Sequence, residues 1–430
     1  MKANISSLCL NETIKPSKLS GVLFTFARRI VLRQLNQLRH GQLVIVDGDE
    51  RFCFGSAGGT FPVTAIIHVN SPHFYSMLAL GGAIGAGESY ILGHWQSDNL
   101  TNVVRIMARN MDLSDHMEKG WAQLFTPVRK FLHWLNSNTL QGSRKNIAAH
   151  YDLGNDFFEL FLDPTMMYSC GIFETPHSTL EQASLAKMKR ICDKLALQEK
   201  DHLIEIGTGW GGFAMYAAKH YGCHVTTTTI SKNQYDWAQR RIREENLEDK
   251  VTLLLEDYRN LQGQYDKLVS IEMIEAVGHR YYDTFFKKCG ELLKPDGTML
   301  IQAITIADQR YEQAKRSVDF IQRYVFPGSC IPSNTAIVES TTSASDLRLV
   351  HLEDIGPHYA TTLSLWREQL FANRDAVKQR GYPEGLLRLW DFYLCYCEGG
   401  FAERTISDVH YVFSKPLNRK TPLLPRIDAQ

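Results

Sequence analysis

Residues 203–212 read Leu203-Ile204-Glu205-Ile206-Gly207-Thr208-Gly209-Trp210-Gly211-Gly212, an apolar strand pattern running into glycines that open a helix from Phe213 to His220. A strand, a tight turn and a helix in that order bring a nucleotide-like ligand against bare backbone. Gly207 and Gly209 permit the turn and the close approach, because a side chain at either place would fill the ligand's space. Taken alone, such glycines also serve packing. Gly207, Gly209 and Gly212 fit the dinucleotide spacing G-x-G-x-x-G, but that site wants a carboxylate about 20 residues on to hold a ribose. The next strand, His224-Val225-Thr226-Thr227-Thr228-Thr229-Ile230, ends without one, which argues against NAD.

Working outward from this turn, strands and helices alternate from Asp201 onward. Leu203–Ile206, Val225–Ile230, Val251–Leu255, Lys267–Ile271 and Met299–Ile304 read as strands with helices between them. The alternation predicts an α/β domain with a parallel sheet covered on both faces, whose ligands lie at the carboxyl ends of the strands.

At 430 residues the chain suits two domains. Its 47 basic and 47 acidic side chains balance, so bulk charge does not call for nucleic acid. Residues 1–140 carry roughly 13 basic against 9 acidic groups, compatible with an anionic surface and equally with scatter in surface charge. Nine cysteines show no paired framework, and Met1 to Thr13 lack an apolar h-region, so reduced, cytosolic thiols are expected. The apolar stretch Phe74 to Gly87 is too short to span a bilayer. No metal is expected: Cys395 and Cys397 have no second ligand pair nearby, and His150, His279 and His358 are not at metal spacing.

Before the α/β region, residues 16–39 predict a basic amphipathic helix, suited to a membrane surface or to its own domain. Gln42 to Phe54 reads as a hairpin closed at Asp47-Gly48-Asp49-Glu50, and Phe61 to Val69 as a further strand. The glycines of Ile84 to Trp95 suit a turn or a close backbone contact. Asn99–Asn110 and Trp121–Trp134 read as helices, and the polar stretch after them as a linker. The division expected is an amino-terminal α+β domain over residues 1–135, a linker at 136–145 and the α/β domain over 146–430.

The Glu205-Ile206-Gly207-Thr208-Gly209 turn resembles motif I of class I S-adenosylmethionine (SAM) methyltransferases, which have a Rossmann-like fold. From His150 onward the chain resembles the cyclopropane-fatty-acyl-phospholipid synthase family, through H-Y-D-L-G-N-D-F-F, M-Y-S-C-G-I-F, the glycine turn, S-K-N-Q, E-M-I-E-A-V-G-H, F-P-G-S-C-I-P-S, H-Y-A-T-T-L-S-L-W and Y-C-E-G-G-F in order. G-A-G-E-S-Y at Gly85 to Tyr90 is the best piece of a weaker resemblance to that family's lipid-facing extra domain. The resemblance implies methylene transfer from SAM to cis double bonds of phospholipid acyl chains. It also implies a cytoplasmic enzyme held peripherally at the inner membrane surface, with a bilayer as partner and a homodimer as a compatible assembly.

For SAM, the resemblance places Gly207, Gly209, Tyr168 and Ser169 at the methionine part. Thr229, Ile230 and Gln234 fall at the ribose, and Asp257 and Tyr258 near adenine. For the base, it implies a bound bicarbonate in a pocket of Cys170, Glu275, Gln302, Ile304 and Tyr359, with Cys397 lining the pocket. Cys170 is expected there for its backbone and small size rather than as a nucleophile. Each residue singly also reads as ordinary structure: Glu275 as a helix-start charge, the cysteines as core thiols, Tyr359 as a buried aromatic. One departure stands out, for many family members have histidine where this chain has Gln302, and glutamine takes up no proton near neutral pH. Failure to close the ring would then leave a methylated chain. Phe157, Phe158, Leu160, Phe161, Phe320, Tyr324 and Phe326 suit an acyl channel or a core. Rival readings are a small-amine N-methyltransferase and a non-catalytic lipid-binding protein.

Overall fold

The computed structural model describes residues 18–111 and 153–419. The helix expected over residues 121–134, the linker at 136–145 and His150 lie outside the described residues. By their internal contacts the described residues form two units, one of residues 18–111 with Arg380–Glu403, the other of residues 153–379 with 404–419.

In the first unit, β1 (Gly41–Asp47) and β2 (Glu50–Ser56) form the expected hairpin, in which Asp47 pairs with Glu50 across a two-residue turn. Gly48 takes φ of 60°, the left-handed backbone such a turn demands. β3 (Thr64–Val69) runs parallel to β1, and β4 (Trp95–Ser97) antiparallel to β3, giving the order β2-β1-β3-β4. The basic helix spans Lys18–Leu35, and its buried Val31 and Leu35 face the unit's own core. Arg28 turns the same way, pairing with Asp47 at 2.9 Å and Glu50 at 2.5 Å beneath the Phe52 ring.

Of the glycines after Ile84, Gly85 and Gly87 lie in a helix, His73–Ile91, whose one non-helical residue is Gly82 (φ 56°, ψ −137°), while Gly93 makes the expected turn that follows it, with φ of 77°. The second reading, close backbone contact, holds at Gly85, where a Cβ would stand 1.9 Å from the Met77 carbonyl oxygen.

Residues 380–403, expected within the carboxyl-terminal domain, group instead with this first unit. The helix Glu384–Ala402 buries Leu386, Leu387, Trp390 and Leu394. Asp391 accepts the Tyr90 hydroxyl, Arg388 donates to the Tyr90 carbonyl at 2.8 Å, and Glu403 is held by Arg105 and Arg109, each at 2.7 Å. An apolar helix face and buried charges need these partners, whatever their distance along the chain.

The second unit is a seven-stranded sheet of order β10-β11-β9-β8-β5-β6-β7. Its strands are β5 (His202–Ile206), β6 (His224–Thr229), β7 (Val251–Leu255), β8 (Tyr265–Ile271), β9 (Leu293–Ile306), β10 (Arg348–Asp354) and β11 (Ile406–Ser414). β5 to β9 pair in parallel as expected, whereas β11 and β10 add two antiparallel strands at one edge. Alternate residues serve opposite faces: Ile204, Ile206, Leu268, Met299 and Ile301 pack with the helix Tyr282–Leu292, and Leu203, Val225, Val269 and Leu300 with the helices Leu180–Leu195 and Gly212–Tyr221. Both faces are therefore covered, as a parallel sheet requires. The chain steps from β5 outward to β7, then returns to β8 beside β5, so the crevice at a topological switch point opens past the carboxyl ends of β5 and β8.

Candidate active site

The glycine turn leaves β5 into that crevice. Gly207 has φ of 104° and Gly209 of 53°, a backbone that disfavours any side chain, and the space a Cβ of Gly209 would enter is open to 4 Å. A Cβ on Gly207 would meet Met273 Cγ at 3.3 Å, so the turns after β5 and β8 abut. This bare cradle fits SAM. On its flank, Tyr168 packs in a tilted contact at 5.1 Å against Trp366 and meets Phe158 edge-on at 5.3 Å, while Trp210 donates to Asn155 at 2.8 Å.

After β6, Thr229 donates to Gln234 at 3.0 Å and accepts the Ser231 N–H, which ties the expected ribose residues together; Ile230 is half-buried between them. Asp257 is buried and engaged by Arg259 through its backbone N–H at 3.0 Å, Nε at 2.8 Å and Nη2 at 2.8 Å, and Tyr258 packs edge-on against Phe285. Phe157, Phe158, Phe161 and Phe320 have no exposed surface and belong to the core.

The base pocket is where the structure goes beyond the sequence. Cys170, Glu275, Gln302, Ile304 and Tyr359 come together past the end of β8 and beside the last residues of β9, but around Glu272, the first residue of E-M-I-E-A-V-G-H, to which the resemblance gave no role. Its Oε1 accepts the Cys170 N–H at 2.8 Å and the Gln302 Nε2–H at 2.8 Å, and its Oε2 accepts the Tyr359 hydroxyl at 2.5 Å. Glu275 Oε1 accepts the Ile304 N–H at 2.5 Å. Bicarbonate, expected here, does not fit: its three donors already bond to Glu272, and Ile304 and Glu275 bond to each other. Cys170 acts through its backbone as expected; burial pushes its thiol far above the range in which it ionises. Cys397 is half-buried on the helix Glu384–Ala402 of the first unit.

β11 supplies two further groups. Asp408 accepts from Gln302 Nε2 at 2.7 Å, and His410 pairs through Nε2 with Gln302 Oε1 at 3.1 Å and through Nδ1 with Lys194 at 3.0 Å. Lys194 continues to Glu353 at 2.5 Å. The helix Leu180–Leu195 also contributes Lys187, wholly buried and donating to Ser169 at 2.6 Å.

Three carboxyls thus share one pocket, with Glu275 and Asp408 buried and Glu272 half-buried. Burial, then the neighbouring Glu272 charge, pushes Glu275 up to about 8, and burial with both neighbours raises Asp408 well above the usual carboxylate range. Burial raises Glu272 as well, opposed by Tyr359, the Cys170 N–H and the Lys187 charge. Glu272 and Asp408 titrate as a pair, and the proton resides on Asp408, because Glu272 is the one that accepts three donors. At neutral pH the pocket holds one carboxylate, two protonated acids and a buried lysine that is pulled down by burial and up by these neighbours. Burial drives His410 well below its ordinary value, so it is neutral. Among the described residues there is no cluster of metal ligands, and no helix is long and apolar enough to cross a membrane.

Residues 138–412 match the family described as mycolic acid cyclopropane synthetase. The chain is 40% identical over 327 residues to tuberculostearic acid methyltransferase UfaA1 of Mycobacterium tuberculosis, covering 74% of this chain and 76% of that one. It is 36% identical over 359 residues to the cyclopropane-fatty-acyl-phospholipid synthase of Escherichia coli K12, covering 82% and 88%. Among solved structures, mycolic acid cyclopropane synthase CmaA1 complexed with SAH and CTAB superposes with a TM-score of 0.58 at 32% identity, over 63% of this chain and 98% of that one.

Proposed function

The chain belongs to the mycolic acid cyclopropane synthetase family and is a SAM-dependent methyltransferase, and from that premise we propose that it forms cyclopropane rings at cis double bonds of phospholipid acyl chains. The coarser activity, SAM-dependent modification of unsaturated lipid chains, is common to the relatives. The observation that carries the finer reading is a half-buried carboxylate, Glu272, beside the glycine turn. Bound SAM supplies an electrophilic methyl, and an alkene that takes it is left with a positive charge. A dry pocket of fixed dipoles and aromatic faces, here Tyr359, Trp366 and Tyr168, tolerates that charge, and a carboxylate removes the proton whose loss closes the ring.

The substrate surface in this reading is the lipid bilayer at the inner face of the membrane. Phe61 and Phe26 of the first unit, 74% and 57% exposed, support it, since large apolar side chains gain from insertion among lipids. The test is to incubate purified protein with SAM and vesicles of cis-monounsaturated phospholipid, and to analyse the fatty acid methyl esters before and after mild hydrogenation. A product heavier by one methylene that resists reduction supports cyclopropanation; absence of any product refutes the lipid reading. A second reading, methylation without ring closure, is favoured by the 40% identical relative being named a methyltransferase, and would show as a product that takes up hydrogen.

A further inference from the structure

The pocket that resemblance assigns to a bound anion is filled by the protein itself. Of the five groups expected to hold the anion, three point their hydrogens at Glu272: the Cys170 N–H and the Gln302 amide at 2.8 Å, and the Tyr359 hydroxyl at 2.5 Å. The other two, the Ile304 N–H and Glu275, satisfy each other. Resting on the methyltransferase reading above, we infer that the Glu272 carboxylate takes the place of bicarbonate in this enzyme and removes the proton from the transferred methyl group.

Three independent features agree. First, Glu272 has φ of 46°, a left-handed backbone that costs a non-glycine residue on the order of 1 kcal/mol and persists only when the surroundings enforce it. Its own N–H is fixed to the Gln302 carbonyl at 2.8 Å, so the strain serves to aim this side chain. Second, the three carboxyls are not equivalent. Glu275 Oε2 and Asp408 Oδ1 are buried without a hydrogen-bond partner, a situation far costlier for an ionised group than for a protonated one. Both oxygens of Glu272 have partners. Third, the departure at Gln302 acquires a purpose. Its one amide nitrogen donates to Glu272 and to Asp408, at 2.8 and 2.7 Å, while its oxygen receives His410. Two carboxyls held at once need a group with two N–H bonds, which a neutral imidazole lacks.

The step balances without any added co-reactant. The alkene's π pair forms the bond to the methyl carbon as the carbon–sulfur bond breaks with its pair on sulfur, leaving a cation on the acyl chain. A C–H bond of the new methyl then breaks, its electron pair closes the ring, and the proton goes to Glu272, which returns it to water between turnovers.

The experiment uses the full chain, SAM and vesicles of phosphatidylethanolamine and phosphatidylglycerol with oleoyl chains. Wild-type turnover in buffer stripped of carbon dioxide should lie within about twofold of turnover in millimolar bicarbonate, and Glu272→Gln should lose about 100-fold or more in kcat, the scale of a lost general base, with SAM affinity little changed. Glu272→Gly accepts the left-handed backbone and vacates the carboxylate's place, so bicarbonate or formate should restore its turnover at least tenfold. Wild-type turnover that collapses on bicarbonate removal overturns the inference, as does a Glu272→Gln variant of wild-type kcat. Either result leaves the methyltransferase reading standing, whereas a wild type inert on lipid under all buffers refutes that reading instead.

Discussion

Lys194 Nζ lies 3.0 Å from His410 Nδ1, and this contact sets the direction of the hydrogen bonds that run from His410 to Gln302 behind the site. An ammonium only donates, so Nδ1 must accept, the ring proton must sit on Nε2, and Nε2–H must donate to Gln302 Oε1. The Gln302 nitrogen is thereby turned toward Glu272 and Asp408. His410→Phe leaves both the lysine and the glutamine oxygen without this partner. It should cost about 1–3 kcal/mol of stability. It should also lower kcat more than it changes SAM affinity, because the Gln302 amide loses what orients it. Urea unfolding and calorimetric SAM titration check the two parts, and unchanged kcat would show that Gln302 holds its orientation unaided.

A second expectation concerns pH. Burial pushes Glu205, which accepts from Thr227 at 2.5 Å, up to about 8, and Glu275 likewise up to about 8. In the unfolded chain both ionise near pH 4.3. Between those values the folded state binds more protons than the unfolded one, so stability falls as pH rises from about 4.5 and levels off above about 8. Glu205→Gln keeps an acceptor for Thr227 and has no proton to lose. It should match the wild type near pH 4 and exceed it at pH 8, as read from urea midpoints across that range. Parallel pH profiles would mean that Glu205 is ionised when folded.

At the glycine turn, Gly207→Ala forces a side chain into φ of 104° and sets a methyl 3.3 Å from Met273. The strain is about 1–3 kcal/mol, enough to displace the turn. SAM affinity should fall at least about tenfold, the equivalent of about 1.4 kcal/mol, with the circular dichroism spectrum retained. Calorimetry decides it.

The first unit has its own sensitive point. Gly85→Ala puts a methyl 1.9 Å from the Met77 carbonyl oxygen, backbone against backbone, so the His73–Ile91 helix must open at its Gly82 kink. A loss of about 3 kcal/mol or more is expected, among the larger effects of a single methyl. Since the methyl lies in the first unit, proteolysis should cut residues 18–111 sooner while leaving the glycine-turn unit's SAM binding in place.

Much of this was legible in advance because it follows from local rules. The parallel strands announced themselves through runs such as Leu203–Ile206 and Lys267–Ile271, and the hairpin through Asp47-Gly48. β10 was not visible, because Arg348–Asp354 mixes Leu349, Val350 and Leu352 with charged residues in no clean alternation and lies mostly exposed at the sheet edge. β11 was hidden by the feature that makes it matter, since Asp408 and His410 interrupt an apolar run and yet are buried. Glu272 stood three residues from the expected Glu275, and nothing in E-M-I-E tells which carboxylate the donors choose. That choice depends on a left-handed φ and on Cys170, 102 residues away. Lys187 reads as a surface lysine until the sheet is laid against its helix.

The assignment of the helix Glu384–Ala402 to the first unit bears on how the molecule comes into being. Tyr90 and its partner Asp391 are separated by 301 positions. A ribosome adding roughly 5–20 residues per second needs tens of seconds to travel that far. Throughout that time the early part of the chain must wait with the seat for Leu387, Trp390 and Leu394 uncovered, although the sheet of the second unit is nearly all synthesised by then. The amino-terminal unit is thus the first to be made and among the last to be completed, and chaperones would be needed most by the segment that emerges earliest.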